Sequence, residues 1–175
     1  MTADGKRDAY RRILGRLESL DAESPLQGLN AVDRWVREVH ASAPWGLPHF
    51  WWCGVYYLDG RATEPRLLHL LSGSSPACSP LEVKVRTGGV CSDCVLLEKP
   101  IVVNDVTRYP AHIFCDSRAR SEVVVPLFGR DGRFMALIDV DHTSVGSFTW
   151  DDVEGLEELA ERLAPEVARA LEAKR

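Results

Sequence analysis

Apolar residues recur at helical spacing at both ends of the chain and at strand spacing between them. Residues 8–20 place Ile13, Leu14, Leu17 and Leu20 along one helix face. Residues 25–43 repeat the pattern with Leu26, Leu29, Val32, Val36 and Val39, and Pro44 and Pro48 punctuate its end. The aromatic and β-branched run "FWWCGVYYL" (50–58) then reads as a strand. "LLHLLSG" (67–73), the alternating "LEVKVRT" (81–87) and "PIVVNDV" (100–106) read as three more. Between the last two, "VCSDCVLLEK" predicts a short helix ending before Pro100. Residues 107–120 read as a long loop. "SEVVVPLF" and "RFMALIDV" predict two strands joined by the turn "GRDG". A long amphipathic helix closes the pattern over 148–175, with Thr149 as N-cap, acids in its first turn, and Pro165 expected to kink or split it.

Helices first, hairpin-linked strands next and a helix last define an α+β class. The expected architecture is a central antiparallel sheet with the N- and C-terminal helices packed on one face. One domain is expected over 1–175: helices at about 5–43, sheet and loops at about 50–146, and a final helix at about 149–173. The terminal helices suit a homodimer, or equally packing on their own sheet.

Charge narrows the partners. The net charge of −5 offers no electrostatic footprint for nucleic acid or an anionic membrane. No apolar run reaches bilayer length, and the charged first twenty residues lack the apolar core of a secretory signal. A reducing cytoplasm is the expected setting, where cysteines serve metal or redox chemistry more often than cross-links. The five cysteines are Cys53, Cys78, Cys91, Cys94 and Cys115, an odd number that suits a disulfide framework poorly.

Cys91 and Cys94, in "GGVCSDC", are the close pair. Three readings compete. Zinc needs four ligands, and Cys78 and Cys115 would have to complete the pair. Thiol chemistry is favoured by the predicted helix start, whose N–H groups and dipole support a thiolate. Arg108, His112, Arg118 and Arg120 around Cys115 do the same for that thiol. Burial as small hydrophobes is the third reading, and it fits Cys53 best. Among the acids, Asp139 and Asp141 alternate on one face of a strand end, and the hairpin brings them towards Glu122. Crowded acids raise a carboxyl pKa, giving a candidate general acid; ordinary solvated carboxylates are the alternative.

"SSPACSP", "GGVC", "YPAHIFCD", "SEVVVPL", "LIDVD" and "GSFTWDD" occur in this order. Together they resemble the free methionine-(R)-sulfoxide reductases, which are stand-alone GAF domains. "WWCGVYYL" resembles that family's aromatic strand ahead of the site. The resemblance runs from about residue 50 to residue 155 and implies a GAF fold. It implies Cys115 as nucleophile, Cys78 as the thiol that resolves it, and Cys91 as a second resolving or alternative active thiol. It also implies Glu122, Asp139 and Asp141 as substrate-facing carboxylates, Glu122 as proton donor, and Trp52 as the pocket tryptophan. The implied activity reduces free L-methionine-(R)-sulfoxide, with thioredoxin as reductant and no metal or organic cofactor. Ser92 stands where the family has Gly, His142 where it favours Ser, and Cys94 is additional. A non-catalytic GAF module sensing a small ligand or redox state is the alternative from another class.

Overall fold

The computed structural model describes residues 3–41, 47, 50–60, 66–75, 81–86, 88–112 and 117–174. Two helices, α1 (Ala3–Glu23) and α2 (Leu29–His40), precede the strands β1 (Trp52–Leu58), β2 (Leu67–Gly73) and β3 (Glu82–Lys84). Helix α3 (Val90–Leu97), strand β4 (Ile101–Val103) and a 3₁₀ turn (Val106–Arg108) follow. Strands β5 (Ser121–Phe128) and β6 (Phe134–His142) and helix α4 (Trp150–Glu172) complete the order. Among the described residues the strands form one sheet in the order β3-β2-β1-β6-β5-β4, with every neighbouring pair antiparallel. None of their helices is long and apolar enough to cross a membrane.

The sheet is apolar on both faces, which is why "SEVVVPLF" shows no alternation of apolar and polar residues. Val123, Val125, Ile138 and Val140 pack with α1, α2 and α4. Their strand neighbours Val124 and Leu137 face the other way, with Trp52, Tyr56 and Val90 of α3. The terminal helices therefore share one face, as expected, and the short α3 covers the other. Cys53 is buried on the terminal-helix face, as a small hydrophobe.

Helix α1 buries Tyr10, Ile13 and Leu17 at helical spacing. The apolar face of α2 starts later than the sequence pattern suggests. Gly28, at φ 56°, sets the start of the helix, Leu29 stays exposed, and Val32, Trp35, Val36 and Val39 form the buried stripe. At the start of α4, Thr149 and Asp152 form a reciprocal capping box. The fully buried Asp152 also accepts from Lys6 and from the Tyr10 hydroxyl (3.1 Å), tying α1 to α4. Of the two outcomes expected at Pro165, a split does not occur: α4 runs through it. Pro165 and Glu161 are both exposed residues, so the turn that lacks one N–H lies on the solvent side of the helix.

Close packing at one glycine gives a first prediction. A Cβ on Gly155 of α4 would lie 2.2 Å from the Tyr10 ring. Gly→Ala inside an exposed helix stabilises by about 1 kcal/mol. Here the clash reverses the sign, and Gly155→Ala is expected to cost about 1–3 kcal/mol. Urea denaturation midpoints check this, and a gain in stability would mean that α1 does not seat on Gly155.

Candidate active site

On the α3 face, three acids come together by strand register. Glu122 of β5 pairs directly with Asp141 of β6, and Asp139 lies two residues back on the same strand and face. All three are buried, at 4, 6 and 2% exposure respectively, which excludes the solvated-carboxylate reading. Helix α3 sets Cys91 over them. Its Sγ is 3.4 Å from Asp139 Oδ2 and 3.9 Å from Glu122 Oε1. From the loop before the undescribed 113–116, His112 places Nδ1 3.5 Å from Glu122 Oε2. Tyr56, Val83, Val90 and Ala119 add apolar walls to this cavity, whose free volume is about 450 Å³ including its mouth.

Three carboxylates cannot all stay charged in such a place. Burial, then the charges of Asp139 and Asp141, push Glu122 well above the ordinary carboxyl range. Asp139 is also raised by burial, to about 6, while hydrogen bonds from Cys91 and Glu122 favour its charged form. The arrangement puts a proton on Glu122 that is donated to Asp139. Burial pushes His112 down, so it stands neutral beside Glu122.

These shifts have a cost in stability. Folded Asp139 holds its proton up to about pH 6, against an ordinary value of 3.8. Between those values the folded chain binds more protons than the unfolded one, so stability falls as pH rises through the window. Asp139→Asn is expected to be more stable than the parent near pH 7, by about 2–3 kcal/mol. The advantage should fade as pH drops to about 4. Denaturation midpoints across this range test it, and equal stability at neutral pH would show that burial does not raise the Asp139 carboxyl.

The two thiols of the close pair part company. Cys91 faces acids, the opposite of the electropositive setting inferred from a helix start alone. Cys94 is fully buried among Trp52, Val95 and Val124. Burial, then Asp139 and Glu122, push its thiol far up, which rules out the expected thiolate there. Trp52 is buried with its ring over Gly54 and Gly73, where a Cβ would lie 2.2 and 3.2 Å from it. The aromatic ring that lines the cavity is Tyr56, and Trp52 backs it at 6.0 Å. Cys78 and Cys115 lie outside the described residues. Of the cations expected near Cys115, Arg118 stacks on the Trp51 ring at 4.1 Å. Arg120 donates to the carbonyls of Ser117 and Ala119. His142 holds the following turn, accepting from the Ser144 N–H at 2.9 Å.

One element of the site escaped the sequence reading. Asp93 Oδ1 accepts from the Gly88 N–H at 3.1 Å, and its Oδ2 accepts from the Tyr109 hydroxyl at 2.8 Å. The Gly89 N–H adds a bond to the Pro110 carbonyl at 3.1 Å. Gly88, at φ 85°, lies so close that a Cβ there would come within 2.8 Å of Ala111 Cβ. This clasp fixes the segment that carries His112 against the start of α3. Its only sequence signal was the glycine pair.

The GAF domain model matches residues 46–167. GAF domain-containing protein A of Dictyostelium discoideum is 31% identical, over 90% of this chain and 92% of that protein. The free methionine-R-sulfoxide reductase of Saccharomyces cerevisiae is 33% identical over 62% of this chain, a match spanning 58% of the yeast protein. Among solved structures, free methionine-R-sulfoxide reductase from Neisseria meningitidis, in complex with its substrate, superposes with a TM-score of 0.78. It is 29% identical, with 94% of this chain and 91% of that one covered. A sheet with terminal helices on one face and a walled cavity on the other, matched by the family model over most of the chain, makes this a member of the GAF domain family.

Proposed function

We propose that this GAF domain reduces free L-methionine-(R)-sulfoxide to L-methionine by cysteine thiol chemistry. The observation that carries the reading is the convergence of Glu122, Asp139 and Asp141 on one thiol-lined cavity, with the proton held on Glu122. The likeness to reductases from yeast and Neisseria supports it.

A free amino acid brings an α-ammonium group that pairs with Asp139 or Asp141. A peptide-bound methionine sulfoxide lacks that charge and would leave buried acids unpaired. Tyr56 and Val83, with Trp52 behind, offer an apolar surface to the methyl-sulfur end. The Cys115 thiolate attacks the sulfoxide sulfur while Glu122 protonates the sulfoxide oxygen. The oxygen passes to Cys115 as a sulfenic acid. The substrate sulfur gains two electrons, Cys115 loses two, and methionine leaves. The Cys78 thiol, or that of Cys91, condenses with the sulfenic acid, forming a disulfide and releasing water. The two thiols of thioredoxin then reduce that disulfide by exchange. A reducing cytoplasm is where such a cycle would run.

Thioredoxin-coupled NADPH consumption with the (R) and (S) epimers of free methionine sulfoxide tests the reading. Turnover with the (R) form alone is expected. Binding without turnover by reduced, folded protein would make the chain a ligand sensor instead.

A further inference from the structure

We propose that Cys91, Glu122 and Asp139 form a binding site for a thiophilic divalent cation of the zinc type. Zinc lies about 2.3 Å from a thiolate sulfur and 2.0–2.2 Å from a carboxylate oxygen. At a tetrahedral angle these lengths put sulfur and oxygen about 3.6 Å apart. Cys91 Sγ stands 3.4 Å from Asp139 Oδ2 and 3.9 Å from Glu122 Oε1, spacings that straddle this value. The three donor atoms all lie within 4.8 Å of one another.

A second observation is independent of that spacing. The far oxygens of the same carboxyls, Asp139 Oδ1 and Glu122 Oε2, are buried and make no hydrogen bond among the described residues, although His112 Nδ1 stands 3.5 Å from Glu122 Oε2. Both side chains line the cavity. Buried acceptors without donors are costly, and a cation in their midst would remove the cost. A thiolate with two carboxylates also selects the metal: magnesium and calcium require shells of oxygen alone, whereas zinc and cadmium accept sulfur. The donor set differs from a paired-cysteine site, because Cys94 packs into the apolar cluster and contributes nothing to it.

The site overlaps the cavity assigned to the sulfoxide, so cation and substrate exclude each other, a consequence that rests on the reductase reading. The experiment titrates the reduced full chain with cadmium, read by thiolate-to-metal charge-transfer absorbance, and with zinc by calorimetry. Cys91→Ser and Asp139→Asn are each expected to weaken binding at least about 100-fold, and Cys94→Ser to leave it unchanged. Parent-like binding in both Cys91→Ser and Asp139→Asn, or loss of binding in Cys94→Ser, would overturn the proposal. Free methionine-(R)-sulfoxide is expected to raise the apparent Kd of the metal. Metal binding that the sulfoxide leaves untouched would count against the shared cavity and the reductase reading, with the metal site still standing.

Discussion

Changing Glu122 to glutamine is expected to slow reduction of free methionine-(R)-sulfoxide about 10²–10⁴-fold. The substitution is nearly isosteric, and the amide can still donate to Asp139. What it removes is a proton that can be transferred. Burial and the neighbouring charges of Asp139 and Asp141 keep Glu122 protonated, the form in which a carboxyl can act on the sulfoxide oxygen. A raised acid loses its proton as pH climbs through its folded pKa, so the parent's rate should fall on the alkaline side. In Glu122→Gln that limb should vanish along with the rate. Steady-state rates across pH decide the matter, and a variant with parental rate and profile would remove Glu122 from the chemistry.

Cys115→Ser is expected to abolish turnover altogether, because a serine hydroxyl cannot take up the sulfoxide oxygen as a thiol does. The structure adds a reason for not assigning the attack to Cys91. A thiolate at that position would stand 3.4 Å from Asp139 and near Glu122, so its charge would be repelled, whereas an S–H is a welcome donor. Rapid quenching of a single turnover separates the two thiols. Cys91→Ser with Cys78 intact should still yield one equivalent of methionine, and Cys115→Ser none. One equivalent from Cys115→Ser would move the attack to Cys91.

The acids of the site were legible because a hairpin is a local, arithmetic object. Once "GRDG" is the turn between two strands, Glu122 must fall near Asp141, and the period of two puts Asp139 on the same face. Strand β5 was found at its true limits for the same reason: its β-branched run is bounded by turn residues. The central pairing of β1 with β6 was not legible, since no local period says which distant strand fills an edge. The approach of Cys91 to Asp139 and the clasp by Asp93 also depend on how α3 docks, which is a matter of tertiary packing. The same docking overturned the thiolate expected at Cys94. A helix start favours the charged form only where water or cations remain, and that thiol has neither.

Strand β1 leaves the ribosome well before one of its two partners exists. Its β2 edge is covered almost at once by the next hairpin, but β6 follows some 80 residues later, a separation that slows folding in any topology. At about 5–20 residues per second, the aromatic run Trp52–Leu58 waits roughly 4–16 s with one backbone edge open. Such an edge is a template for pairing with another chain. Asp139 and Asp141 arrive on the strand that closes it, so a nascent chain stopped short of β6 has the aggregation hazard of this fold and only Glu122 of its three buried acids.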